Sequence, residues 1–440
     1  MRILILPLVI LAGAAVACKT EVAGSSGAPV ATVTVTLNSA VLVVGQGTDA
    51  IATLKDADGN VVTGRAVTWS TSNSTVATAS NSGHVTTAGA GNVEIIAISE
   101  GQSGSATLTV GAIVPPPGSV SGLWATAADL AALPTSGTAW NNVKSAADKD
   151  LSNGTLGVRD EHNVNTMAAG LVALRLNSDV YRAKVRASLQ GLMANPIYSG
   201  DPLANLRRLG AYAIAADLAD LKTFDPTFDA QFRIWLDQAR KNGLDGETPA
   251  QYNERRPNNW GTHACVGRVA AALYLGDTAE VSRTAYVFRG WLGDRSQYKG
   301  FSYGDDWWQA DPANPVGINP VGATKNGHNI DGVLPEEERR SGVFVWPPYK
   351  ENYVYTGLEG AIGCALLLSR RGYDVWNWSD QAMLRAYIWV NNVANYPAVS
   401  NDGWQPVIIN KIYGTNFPVP SLSSISPGKN IGWGEWTHQP

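Results

Sequence analysis

The chain changes period at Val114-Pro115-Pro116-Pro117-Gly118-Ser119. Upstream, Thr32-Val33-Thr34-Val35-Thr36-Leu37 alternates polar and apolar residues, the pattern of a half-buried strand. Downstream, apolar residues recur at helical spacing, as Met167, Leu171 and Leu174 do. A period-two segment and a 3.6-period segment cannot share one regular element, so the chain has at least two domains of different class. The three prolines between them favour an extended spacer of roughly 3 Å per residue.

The first segment, 29–112, carries Thr, Val, Ser, Ala and Gly with a single aromatic, Trp69. Asp56-Ala57-Asp58-Gly59-Asn60 reads as a hairpin turn. Short strands follow at Val67–Asn73, Val76–Thr78, Gly83–Thr86 and Ala106–Val110, a spacing that predicts a β-sandwich. The runs Asp56–Val62, Val67–Ala77 and Gly83–Gly91 resemble the group 2 bacterial immunoglobulin-like domain. That resemblance implies a spacer or adhesive module. His84, the one histidine here, is expected on a strand surface.

Met1-Arg2, the apolar run Ile3–Leu11 and Ala15-Val16-Ala17 read as a signal peptide, 1–17, too short in its apolar core to span a membrane. The same residues before Cys18 resemble a bacterial lipoprotein box, which implies lipidation of Cys18; ordinary cleavage would cut the same bond. Residues 18–28 then form a tether, and the expected location is secreted or cell-surface, with a membrane engaged only through that lipid. Net charge is −4, which offers no bulk basic field for nucleic acid. Cys265 and Cys364 sit in apolar helical runs and are expected to be two buried thiols, a disulfide being the alternative in this compartment. No Cys/His cluster has zinc spacing, and no cofactor is implied.

After the linker, 113–121, helices are expected over Thr138–Leu151, Asn163–Leu176 and Ser178–Met193. Further pairs are Leu203–Asp220 with Phe228–Arg240, Ala264–Leu275 with Thr278–Trp291, and Tyr353–Arg370 with Gln381–Asn392. Short loops within such pairs predict antiparallel hairpins. No fixed-period repeat marks a solenoid, and long polar aromatic loops, notably Asp294–Lys350, interrupt the helices. An all-α toroid over 122–440 is the resulting expectation, its loops walling a groove. Most of the fifteen Trp and fifteen Tyr lie here, and ring faces suit sugar stacking.

Arg256-Pro257-Asn258-Asn259-Trp260-Gly261-Thr262-His263 places amides, a histidine and an aromatic at a helix mouth, where backbone N–H groups favour anions. The Asn-Asn-aromatic-Gly core resembles the asparagine-histidine motif of alginate lyases and related helical-toroid polysaccharide lyases. In that family histidine follows the asparagines directly; here Trp260 stands there and the nearby histidine is His263. The resemblance implies β-elimination on an anionic uronate polysaccharide of alginate or glucuronan type. Such chemistry needs donors that neutralise the carboxylate, a base near its α-carbon and an acid near the leaving oxygen.

A second block, Gly327-His328 through Arg339-Arg340, Trp346 and Tyr349 to Tyr353-Val354-Tyr355, resembles the arginine-then-tyrosine arrangement of the same family. It implies that Tyr353 or Tyr355 transfers the proton and Arg339 or Arg340 is its cationic neighbour, with Asn259 and His263 completing the catalytic set. Asn258, Arg256, His328, Trp308, Trp346 and Tyr349 are expected to bind substrate. Two other classes stay open. A glycoside hydrolase would need two facing carboxylates among Asp305, Asp306, Asp331 and Glu435. A non-catalytic glycan-binding or adhesive surface protein would rest on the immunoglobulin-like domain.

Overall fold

The computed structural model describes residues 27–44, 46–111, 122–157, 159–195, 200–243 and 247–439. The signal peptide, the lipidation site Cys18 and the linker 113–121 lie outside the described residues. The chain divides into two compact units, 1–112 and 113–440.

The first unit is a β-sandwich. Strands Thr32–Leu37 (β1), Val41–Val43 (β2), Gly47–Lys55 (β3), Thr68–Thr71 (β4), Ala77–Ala79 (β5), His84–Thr87 (β6), Gly91–Ser99 (β7) and Gln102–Gly111 (β8) form two four-stranded sheets. Their orders are β1-β3-β6-β5 and β2-β8-β7-β4, antiparallel except for the short β2–β8 pair. Alternation does the sorting: Val33 and Val35 of β1 point inward, while its threonines do not. They join Leu54, Val85, Ile95 and Leu108 in one core. At the Asp56 turn, the carboxylate accepts from the backbone N–H of Asp58 and of Asn60, and Gly59 takes φ 84°. His84 is exposed and sits 2.7 Å from Asp49.

The second unit is helical. Its helices are Ala127–Ala131 (α1), Thr138–Asp148 (α2), His162–Leu176 (α3), Asp179–Met193 (α4), Pro202–Leu218 (α5), Leu221–Phe224 (α6), Pro226–Lys241 (α7) and Pro249–Arg255 (α8). Asn259–Leu275 (α9), Thr278–Trp291 (α10), Pro335–Glu338 (α11), Tyr353–Ser369 (α12), Trp378–Ile388 (α13), Gln405–Tyr413 (α14) and Gly434–Thr437 (α15) follow. Helices α3, α5, α9 and α12 are buried on nearly every face, as Ala/Gly/Leu-rich helices with no polar side must be. Helices α4 and α7 keep one apolar face and return the chain outside them.

Small residues set the inner spacing. A Cβ on Gly170 of α3 would meet Ala215 and Leu218 of α5, and one on Gly210 of α5 would meet Val266 of α9. Gly360 and Gly363 of α12 press on Thr262 and Val266 of α9. These contacts advance in step along both partners, so the four inner helices are parallel. The C-terminal segment closes the ring: Asn430 N–H donates to Glu359 of α12, and the Trp433 indole donates to the Val164 carbonyl of α3. The fold is thus an immunoglobulin-like sandwich followed by an α/α toroid.

Three local expectations are corrected. The helix after Pro257 starts at Asn259 rather than Ala264, because the Asn258 side chain caps it by accepting from Trp260 N–H. Cys265 and Cys364 are joined as a disulfide rather than standing as two thiols, since tight parallel packing of α9 on α12 brings their Cα atoms to 5.9 Å. The loop 294–350 is also a packed layer. It holds a two-residue antiparallel pair, Thr324–Lys325 (β9) with His328–Asn329 (β10), and buries Trp308, Gln309 and Asn319.

Each unit encloses its own apolar core. A chain lacking residues 19–118 is therefore expected to keep the cooperative thermal transition of the helical unit. A broad, non-cooperative melt of that truncation would contradict the division.

Candidate functional site

Four parallel helices begin at one end of the toroid. Around the first turns of α3, α5 and α12 lies a cleft of about 690 Å³, whose lining includes Arg159, Arg207, Arg208, Tyr353, Asn401 and Lys429. Helix N-termini carry partial positive charge and unpaired N–H groups, so this end favours anions. The side chains add to it. Arg208 is spent on the Asp160 carboxylate and the Thr155 carbonyl, and Arg159 pairs with Asp201. Lys429 donates to the Thr356 hydroxyl at 3.3 Å, an uncharged partner.

The floor of the cleft is a buried polar group. Arg207, 9% exposed, donates from Nε to Nδ1 of His263 at 2.9 Å. Arginine Nε is always a donor, so His263 Nδ1 must accept and its proton sits on Nε2. Burial first, then the charges of Arg207 and Lys429, hold the His263 pKa well below the ordinary histidine value. His263 Nε2 lies 4.0 Å from Glu359 Oε2, too far for a hydrogen bond. Burial, with Asp402 second, pushes Glu359 up to about 7.

The two tyrosines separate. Tyr353, the first residue of α12, is 40% exposed and lines the cleft, with the Arg340 guanidinium 4.1 Å over its ring centre. Tyr355 is in the core, donates its hydroxyl to the Tyr396 carbonyl at 2.6 Å, and has its pKa raised by burial. Two residues along a helix point to nearly opposite sides, so Tyr353 lines the cleft while Tyr355 faces away from it.

Other expected site residues scatter. Asn259 is fully buried; its backbone N–H donates to Glu337, and its amide has no partner among the described residues. His263 likewise has no exposed surface. Arg339 is held by Glu336 at 2.9 Å and Asp305 at 3.5 Å. Trp308 is 1% exposed and cannot stack on a sugar. His328 and Trp346 stack on each other at 4.4 Å, against Phe344. Arg256 lies against Tyr252 and Trp260 and pairs with Glu247, and Asn258 is the helix cap. Tyr349 is exposed.

The carboxylates weighed for hydrolysis do not face one another across the cleft. Asp305 and Asp306 are exposed in the long loop, Asp331 pairs with Arg385, and Glu435 is buried near α14. Among the described residues, no group of three or more His, Cys, Asp or Glu could hold a metal ion, and no helix is long and apolar enough to cross a membrane.

Arg207, Lys429 and Asn401 were not singled out from sequence. Arg207-Arg208 did leave a signal: two adjacent cations inside a mostly apolar helix. At least one of them had to be buried.

Buried acids under α9 and α12 make stability pH-dependent. Burial raises Glu337 to about 8 and Glu338 to about 9, from an ordinary value of 4.5. The folded state therefore holds these protons more tightly than the unfolded state. The stability from this effect is complete below about 4.5 and drains away as pH rises through about 8 to 9. The melting temperature is expected to fall between pH 6 and pH 9, and less steeply in Glu338→Gln; equal slopes would refute this assignment.

The sequence model of the bacterial Ig-like domain (group 2) matches residues 29–110. No curated protein matches the chain. Among solved structures, the Escherichia coli adhesin FdeC is 22% identical over 21% of this chain, with a TM-score of 0.17. The chain covers 36% of that structure. Alginate lyase A1-III from Sphingomonas species A1 is 11% identical, covering 68% of this chain and 90% of its own, with a TM-score of 0.43.

Proposed function

We propose that the helical unit is a polysaccharide lyase that cleaves a uronate-containing polysaccharide, of alginate or glucuronan type, by β-elimination. The observation that carries this reading is Tyr353. It is a solvent-reaching phenol at a helix N-terminus, under one arginine and beside a cleft rich in cations. In this reading Tyr353 takes the proton α to the uronate carboxylate. The cleft cations and helix N-termini stabilise the enolate-like charge that develops. The β alkoxide then leaves with a proton returned from the Tyr353 side.

The chain's place in this reading is outside the cytoplasm, free or held on a membrane by lipid on Cys18. The Cys265–Cys364 bond suits an oxidising compartment. The immunoglobulin-like unit serves as a spacer that presents the helical unit to a polymer.

The test is to incubate the protein with alginate, glucuronan, pectate and glycosaminoglycans and follow ultraviolet absorbance. A lyase generates a conjugated unsaturated uronate end with at least one of them. Chain shortening without that chromophore would point to hydrolysis, and binding without shortening to an adhesive protein.

A further inference from the structure

We infer that Arg207 is the residue that reads the substrate's free carboxylate, and that His263 is a positioning residue that acts by holding Arg207 in place. This rests on the uronate reading above and deepens it.

The first ground is what Arg207 lacks. It is 9% exposed and lines the cleft, yet among the described residues no carboxylate pairs with it. The neighbouring arginines are each tied to an acid, Arg208 to Asp160 and Arg159 to Asp201. The one described hydrogen-bond partner of its guanidinium is the neutral ring of His263. Burial works against the Arg207 charge, and the Glu359 carboxylate supports it from a distance without a direct bond; a carboxylate arriving from solvent supplies the bonded anion it lacks.

The second ground is geometry. His263 consumes Nε and leaves the two terminal amino groups of Arg207, the end-on fork that matches a carboxylate's two oxygens. The nearby Glu359 carboxylate accepts from Asn430 N–H at 2.6 Å through Oε1 and makes no hydrogen bond to Arg207 among the described residues. Tyr353 and Arg207 line the same cleft. A carboxylate docked on Arg207 is thus in the same cleft as the proposed base.

The third ground concerns His263. An imidazolium has no lone pair at Nδ1 and would break the contact with Arg207 Nε, so the geometry requires neutral His263. Fully buried, it offers substrate nothing directly. Its contribution is to fix which way the Arg207 fork points.

The measurement is calorimetric binding of a uronate trisaccharide and of its methyl ester. It uses the full chain carrying Tyr353→Phe, so that no turnover intrudes. The acid is expected to bind about a hundredfold more tightly than the ester. Arg207→Met should reduce that ratio to near one. His263→Asn keeps an acceptor where Nδ1 stands and should preserve most of the preference. His263→Leu, with no acceptor, should lose most of it. An acid preference that survives Arg207→Met overturns the assignment to Arg207. Equal losses in His263→Asn and His263→Leu overturn the positioning role. Absence of unsaturated ends from the unaltered enzyme, with the Arg207-dependent preference intact, would sink the lyase reading and leave this one standing. Unsaturated ends formed while Arg207→Met keeps full preference would do the reverse.

Discussion

Replacing Tyr353 by phenylalanine is expected to lower kcat by roughly two to four orders of magnitude while leaving KM nearly unchanged. The change removes one hydroxyl and keeps the ring on which Arg340 rests. Packing at the mouth of α12 is preserved, so the loss reports on proton transfer. Tyr355→Phe is the control. Its hydroxyl is bonded to the Tyr396 carbonyl in the core, so its removal should cost about 1 kcal/mol of stability and spare turnover. Steady-state kinetics and melting curves on the two variants check both. Loss of turnover in Tyr355→Phe alone would reverse the assignment.

The largest expected effect on stability comes from the disulfide. Cys265 and Cys364 are separated by 99 residues and clamp α9 to α12. Closing a loop of about that length in the unfolded chain is worth on the order of 4 kcal/mol in the chain-entropy picture. The double variant Cys265→Ala, Cys364→Ala should melt roughly 10 °C lower, with the His263–Arg207 floor losing rigidity at the same time. Equal melting temperatures for the double variant and the native chain would show that parallel packing through Gly360 and Gly363 alone holds the pair.

Much of the architecture is visible in residue patterns because it is local. Strict Thr/Val alternation in β1 leaves one face for the core. Helices α4 and α7 show their buried stripe in the same way. The inner helices are harder. Residues such as those of α9 and α12 are apolar on all sides, so no amphipathic stripe tells which neighbour they meet. Hence the parallel contact of Cys265 with Cys364 could not be anticipated from their spacing.

The site was less legible than the fold, for the same reason. Asn259 and His263 sit in and just after the Asn-Asn-aromatic-Gly motif, and packing places both beneath the surface. Arg207 lies far from that motif in sequence and meets His263 only because α5 and α9 run in step. Tyr353 and Tyr355 differ by two positions on one helix. Which of them faces solvent is set by the direction of α12 against the C-terminal segment, and no local pattern carries that information.

The central claim is elimination, and fragment masses test it most directly. A defined uronate oligosaccharide is cut once and both fragments are weighed by mass spectrometry. In β-elimination no water is added, so the two fragment masses sum to the mass of the substrate, and Tyr353→Phe yields no fragments on the same timescale. Fragments whose masses sum to the substrate plus one water would contradict the account and make the helical unit a hydrolase.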